Sequence, residues 1–528
     1  MKKHVSRSLA LMAVMMPITS FALSTNEIYP ARPYETEKIR SSIERMTENS
    51  NFLWNIYEME KQTLEMRNTK VQPWGGHFWS LNNGMIAVDY HDPIAPIEIV
   101  WQWNAADYFN NRAVNIHKLG IDLPQNKLNK LSPAEKYDLL LGDTSFDLTN
   151  KIWNYASSWG SKKKLGFLKS IEMPEGYSSP KPTQSIAYWE GICHGWATAS
   201  GYVPRPEKTV NVKLPNGKNL PFYPDDLKAL ASLMWAHSDV QNRVLVEGGR
   251  CNQKDPKKDK YGRYTDTEID LNETQLNPNC ADVHPAIFHV SLLNILGIEG
   301  RSFVLDHNPA GSVGNQPVSG YTFSYFNPIT GKNGTLTNSL LSVAELGSKD
   351  KFVSSRNPET THIVGVEMTI RYVNWATPTK LPTDSMRQDK IIDMDFNYDL
   401  EISADGRIVG GQWRINKDGS AGGPFSKPNM PDFFWTVPTK GEYKWQNFFQ
   451  NNTDVPEWDF EKSNTPPAEY KQAALWYHNM TLKEQTLCTV LPLKGLKGEK
   501  QKVDCTYVIP KPSPMVNVVN KLIELSRK

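Results

Sequence analysis

The first 22 residues constrain the rest of the chain more than any other stretch, because they read as an export leader. Lys2, Lys3 and Arg7 form a positive start, and Leu9 to Leu23 is an apolar run broken by Pro17, Thr19 and Ser20. Ser20-Phe21-Ala22 then offers small residues at the spacing a signal peptidase reads. The run is short for a membrane span of ~20 residues, so cleavage is expected rather than anchoring. The expected destination is extracellular or periplasmic. No later segment reaches ~18 consecutive apolar residues, so the mature chain is expected to have no stable membrane span. Without Lys2, Lys3 and Arg7 the 59 basic side chains become 56 against 57 acidic ones, and the net charge moves from +2 to −1. So balanced a chain gives no electrostatic case for nucleic acid as a partner.

Export makes the cysteines informative. There are five: Cys193, Cys251, Cys280, Cys488 and Cys505. An oxidising compartment pairs cysteines and leaves an odd one for intermolecular bonding or chemistry. Cys251 with Cys280 and Cys488 with Cys505 are the disulfide candidates, each neighbouring in sequence across a polar, loop-like segment. A bridge closing either loop would contribute roughly 3–4 kcal/mol on the chain-entropy argument. Other connectivities stay open on sequence alone. Cys193 is then left over.

At 39% apolar and 22% charged residues, the 528-residue chain can build a real core. Hydrophobic spacing predicts one or two helices over 34–67, from Ile39, Ile43 and Met46 and then Phe52, Ile56, Met59 and Leu64. Ser132-Pro133-Ala134-Glu135 has the parts of a capping box and predicts a helix through Leu140. Residues 205–220 and 252–279 read as polar loops. Ile363 to Trp375 reads as a strand. Tyr398 to Ile402, Asp405-Gly406 and Arg407 to Val409 predict a hairpin, because Asp-Gly suits a tight turn. The fold class is α+β: a mixed helical and antiparallel-sheet catalytic region, a helical N-terminal segment and a disulfide-bearing C-terminal extension. The expected divisions are a leader at 1–22, a helical segment at 23–70 that could act as a pro-segment, a catalytic region at 71–440 and an extension at 441–528. The 16 tryptophans hint at aromatic-lined surfaces or a β-rich core.

The chemistry concentrates between 189 and 321. In Trp189-Glu190-Gly191-Ile192-Cys193-His194-Gly195-Trp196, Gly191 permits a tight turn and small residues follow Cys193 into a helix. A thiol at a helix N-terminus feels the positive end of the dipole, which favours thiolate. A buried structural cysteine is the bland alternative. A thiol nucleophile needs a base. His284 and His289 flank the start of a second helix, opened by Pro285, running through Leu296 and ended by Gly297. That helix is apolar nearly all round, so it is expected to be buried and His289 to have a partner. Arg301 to Asp306 reads as a strand ending in a carboxylate, the kind of group that fixes an imidazole tautomer.

Val313-Gly314-Asn315-Gln316-Pro317-Val318-Ser319-Gly320-Tyr321 resembles the surface peptide of the secreted elicitor transglutaminases of oomycetes, Val-Trp-Asn-Gln-Pro-Val-Arg-Gly-Phe. It departs at Gly314 and Ser319. Pro73-Trp74 through Phe78-Trp79, Phe288-His289, Ser302 to Asp306 and Ile408 to Trp413 are also similar to that family, so the likeness spans about 73–435. The resemblance implies a protein-glutamine γ-glutamyltransferase with a Cys, His and Asp site, falling on Cys193, His289 and Asp306. His194, His284 and His307 compete for the imidazole role. The partners implied are protein glutamines as acyl donors and lysines or small primary amines as acceptors. Asn315-Gln316-Pro317 reads as an exposed turn, an epitope rather than chemistry, and Tyr188 and Trp189 as speculative oxyanion donors.

No cofactor is needed for such chemistry. Calcium is a weaker option, since Asp255, Asp259, Asp266, Glu268, Asp270 and Glu273 cluster without the spacing of an EF-hand. No zinc-ligand pattern is present. Two rival readings remain at this level: a secreted cysteine peptidase or amidase that hands the acyl group to water, and a non-catalytic surface-binding protein that uses its tryptophans.

Overall fold

The structure is a computed structural model and describes residues 35–92, 108–153, 190–236, 244–249, 283–306, 313–350, 352–353, 356–414, 430–439, 454–479, 486–491, 502–507 and 514–528. The leader, Cys251, Cys280, the acidic cluster at 255–273, Tyr188, Trp189 and His307 lie outside them.

Eight helices are used below: α1 (Thr36–Thr47), α2 (Ile56–Lys61), α3 (Pro133–Leu140), α4 (Cys193–Tyr202), α5 (Pro224–Ala236), α6 (Pro285–Leu292), α7 (Ala468–Asn479) and α8 (Pro514–Ser526). The strands are β1 (Met66–Asn68), β2 (Val210–Lys213), β3 (Asn219–Phe222), β4 (Leu245–Gly248), β5 (Val304–Asp306), β6 (Gln316–Phe326), β7 (Asn333–Gly334), β8 (Leu341–Ser342), β9 (His362–Asn374), β10 (Lys390–Ile402), β11 (Ile408–Trp413), β12 (Phe433–Thr436), β13 (Thr486–Leu491) and β14 (Lys502–Tyr507).

Ten strands form one antiparallel sheet, in the order β11-β10-β9-β6-β5-β12-β4, with β1 and β7 added on β6 and β8 on β9. Its spine is the long pairing of β9 with β10, where alternate Val, Ile, Met, Phe and Tyr side chains are buried. Such a sheet is stabilised by burying both faces, and here each face has its own core. Phe303, Leu305 and Phe434 belong to one, with α1, α2 and α6; Val304, Phe433 and Trp435 belong to the other, with α3, α4, α5 and α8. Successive residues of a strand point to opposite faces, so β5 and β12 divide their side chains between the two cores.

Local rules account for most elements. Ser132 caps α3, with its hydroxyl taking the Glu135 N–H while the Glu135 carboxylate takes the Ser132 N–H. The Asp405-Gly406 turn closes the β10–β11 hairpin as expected. His284 caps α6, its Nδ1 accepting the Ala286 N–H, and α6 continues as a π-turn over Leu293–Ile298. Residues 205–220, read as loop, contain β2 and the start of β3, a small hairpin whose inward residues Val210, Val212, Leu220 and Phe222 are buried. The alternation was present in the sequence but masked by Asn211, Lys213 and Asn219 on the outer face.

Residues 36–68 and 514–528 both pack into the cores. Ile39, Ile43, Met46, Ile56, Met59 and Leu64 are at most 2% exposed in the α6-side core, and β1 pairs with β6. These contacts pack 36–68 into the α6-side core and onto the sheet. Met515, Val516, Val518, Val519, Leu522 and Ile523 of α8 likewise join the α4-side core. In β13–β14, Cys488 and Cys505 are direct cross-strand partners. Antiparallel pairing holds such Cα atoms about 4.5–5.5 Å apart, inside the range a disulfide needs. The described tryptophans are mostly core: Trp74, Trp196 and Trp235 are fully buried, whereas Trp375 is exposed.

Two outcomes are expected. Deleting residues 35–68 removes six fully buried apolar side chains, each worth roughly 1.5–3 kcal/mol, which together rival a domain's whole net stability of about 5–15 kcal/mol. The truncated chain should show no cooperative melt by circular dichroism. The second concerns His289, whose pKa burial pushes down to about 3 from an ordinary 6.5. The folded protein resists this proton and the unfolded chain accepts it, so the stability His289 supplies is complete above pH 6.5 and is lost as pH falls toward 3. His289→Gln should cost about 1–2 kcal/mol at neutral pH. Its deficit relative to wild type should shrink on acidification, by up to ~1.4 kcal/mol per pH unit. A deficit that stays constant from pH 7 to 4 contradicts this account of His289.

Candidate active site

Cys193 opens α4, half-buried and unbridged. The turn before it is clamped to another segment: the Ile192 N–H donates to the Phe78 carbonyl at 2.8 Å and the Leu81 N–H to the Glu190 carbonyl at 2.9 Å. A Cβ on Gly191 would collide with that Phe78 oxygen. One turn on, a Cβ on Gly195 would overlap the Ser232 carbonyl of α5. The small residues after Cys193 therefore serve close helix packing, as their pattern suggested. Trp196 completes the anchorage by donating from Nε1 to the Trp74 carbonyl at 3.2 Å.

Three strand ends meet this helix start. Val304 of β5 faces Trp435 of β12 and Asp306 faces Phe433, and residues directly opposite in a ladder share a face. Trp435 and Phe433 lie in the α4-side core, so Asp306 does too. Leu305 pairs with Gln316, and continuing that antiparallel register sets Asn315 opposite Asp306. Asn315 is 8% exposed, and its Nδ2 donates to Cys193 Sγ at 3.3 Å. Its Oδ1 accepts from Trp435 Nε1 at 2.8 Å.

Burial pushes the Cys193 thiol above its ordinary range, and the Asp306 carboxylate adds to that push. Opposing it are hydrogen bonds from the Asn315 side chain, the Asn315 N–H and the His194 N–H. The sulfur of half-buried Cys193 thus has hydrogen-bond donors converging on it. That arrangement can hold negative charge on sulfur, and the desolvation sharpens every one of those hydrogen bonds.

Of the expected residues, the structure brings Cys193 and Asp306 together and does not bring His289 to them. Phe288 and Val290, on either side of His289, belong to the opposite core. The His289 ring packs edge-on to Phe323 and Tyr398, with Nδ1 2.7 Å from the Tyr398 hydroxyl. The sheet stands between this ring and Cys193. α6 thus places the His289 ring in the core on the other face of the sheet from the one Cys193 packs against. Its apolar surroundings had been legible, but which face of the sheet α6 would cover had not. Asn315-Gln316-Pro317 is corrected, from exposed turn to buried wall: Gln316 is 7% exposed and pairs within the sheet. Asn315 and Trp435 are the residues that sequence reasoning missed. A polar residue immediately before an apolar run was the available signal for Asn315; Trp435 gave none. Among the described residues no three His, Cys, Asp or Glu side chains group as a metal site.

The sequence profile described as "Transglutaminase elicitor" matches residues 169–445, which is more than half of the chain. Among solved structures, the chain is similar to the GP42 transglutaminase from Phytophthora sojae, at 18% identity over 76% of this chain and 90% of that one, with a TM-score of 0.46. No curated protein matches. The matched span contains Cys193, Asp306, Asn315 and Trp435, and the chain belongs to the transglutaminase elicitor family.

Proposed function

We propose that the protein is an exported protein-glutamine γ-glutamyltransferase with Cys193 as its nucleophile. The observation that carries this is a free thiol at a helix N-terminus, facing a carboxylate and a set of hydrogen-bond donors in a recess built by three strands. Membership of the transglutaminase elicitor family supports it.

Sγ attacks the carboxamide carbon of a protein glutamine. The C–N bond breaks, ammonia leaves with the thiol proton, and a thioester remains. A lysine or small primary amine then attacks the thioester carbon, forming the isopeptide bond and returning a proton to sulfur. Asp306 is the acid–base group beside the sulfur, and in this scheme it relays the proton between thiol and leaving ammonia. Any imidazole that takes part must approach from the face Asp306 occupies. His194, His284 and His307 remain the competitors for that role. Exclusion of water when a protein substrate covers the site would favour amine over hydrolysis. Export by the leader, and bridging of Cys488 with Cys505, belong to the same proposal, and the cross-strand register supports the bridge. No described helix is long and apolar enough to cross a membrane.

The test is incorporation of a fluorescent primary amine into a glutamine-bearing protein. Cys193→Ala should abolish it, and Asp306→Asn should lower it by about 10²–10⁴-fold, the usual span for loss of an acid–base group. Release of ammonia without amine uptake would make the enzyme an amidase. Incorporation that survives in Cys193→Ala would sink the proposal.

A further inference from the structure

We propose that Asn315 is a catalytic residue and Trp435 its positioning residue: the indole locks the Asn315 amide so that Nδ2 faces Cys193 and steadies the charge on the sulfur. The inference deepens the acyl-transfer reading and rests on it.

A carboxamide has one donor end and one acceptor end of nearly the same shape, and only the donor end helps a thiolate. Left free, the Asn315 amide could rotate and present Oδ1 to the sulfur, which would repel the charge. Trp435 removes that freedom, because an indole N–H can only donate and must face Oδ1. Its bond to Oδ1, at 2.8 Å, therefore dictates that Nδ2 points the other way, where Sγ lies at 3.3 Å. Both side chains are buried, Trp435 at 3% and Asn315 at 8% exposure, so water does not compete for either bond. The backbone supports the same geometry: Trp435 is fixed by pairing on both edges of β12, and the Asn315 N–H also reaches the sulfur. Hydrogen bonds to an ionised partner are roughly twice as strong as neutral ones, so Asn315 favours thiolate over thiol.

Among the described residues, the charged group facing Cys193 is Asp306 from β5, which opposes ionisation. α4 contributes the His194 N–H, and the Asn315 segment and β12 contribute amide and indole groups. Asn315 and Trp435 thus work against Asp306.

The experiment follows the rate of Cys193 alkylation by iodoacetamide against pH, in the full-length protein, alongside the amine-incorporation assay. Asn315→Ala should slow alkylation about tenfold at a fixed pH below the midpoint, equivalent to moving the titration up by roughly one unit. Asn315→Asp, of nearly equal shape, should slow it further by adding a second carboxylate. Trp435→Phe keeps the ring and loses only the N–H, and should give an upward displacement between zero and that of Asn315→Ala. A purely structural role would lower the melting temperature without moving the midpoint. Unchanged profiles in folded Asn315→Asp and Trp435→Phe overturn the inference, even if wild type incorporates amine. Displaced profiles in a protein that incorporates no amine uphold the role of Asn315 at the thiol and reject the transferase reading instead.

Discussion

The alternation of side chains across β5 and β12 is the constraint on which the site depends. A strand cannot send neighbouring residues to the same face, so three-residue β5 must split itself: Leu305 goes to the α6 side, Val304 and Asp306 to the α4 side. Pairing with β12 carries the same division to Phe433, Phe434 and Trp435. Once α4 packs on the face that holds Val304 and Trp435, Asp306 arrives at Cys193 without any special device. A one-residue slip in β5 would turn Asp306 to the other face, and one in β12 would turn Trp435. Function is thereby tied to register. The register is protected because both faces are fully buried, and a slip would put Asp306 among Leu305's apolar neighbours.

The second constraint is the crowding of α4 against α5 and the Phe78 segment. Gly191 and Gly195 let backbone approach backbone on both sides of Cys193, and the buried Trp74 and Trp196 hydrogen-bond the surrounding carbonyls. Buried ion pairs flank this packing: Lys136 of α3 meets Asp226 of α5 at 2.6 Å with both side chains fully buried, and Lys228 meets Asp384 at 3.0 Å. Such pairs add little net stability, since desolvation offsets their attraction, but removing one partner leaves a stranded charge. They are better at fixing a single arrangement of α3 and α5 than at strengthening it. The precision at the thiol is inherited from that arrangement.

Much of this could be read from the residues. The capping box at Ser132, the Asp405-Gly406 hairpin, the strand ending near Asn374 and the Pro285 start of α6 are local events, each decided within a few neighbours. Cys193 at a helix start with small residues behind it was legible for the same reason. What was not legible was the long-range part. His289 sits on a helix whose buried character was clear, yet nothing within 285–298 says which face of the sheet that helix covers. Trp435 lies well over two hundred residues from Cys193 in sequence, and its indole is one of sixteen. Asn315 was mistaken for a surface turn because Asn, Gln and Pro are individually turn-forming; only the ladder from Leu305 to Gln316 shows that they belong to a buried strand start.

His289 then needs its own explanation. A neutral imidazole held in an apolar core by a tyrosine hydroxyl costs less than a charged one and gives direction that a phenylalanine could not. Tyr398 lies on β10 and His289 on α6, so this bond fixes the rotation of α6 about its axis against the sheet. The bond lies among Phe288, Phe323, Phe396 and Trp413, rings that would otherwise slide over one another with little penalty. The same helix carries His284 as its cap beside Val283, whose carbonyl accepts from Trp413 Nε1 at 2.8 Å. In this packing the His289 imidazole orients α6 against β10 through the Tyr398 hydroxyl. Histidine suits this task for one reason: it presents a defined donor and acceptor on a flat ring, and its surroundings decide whether a proton ever arrives.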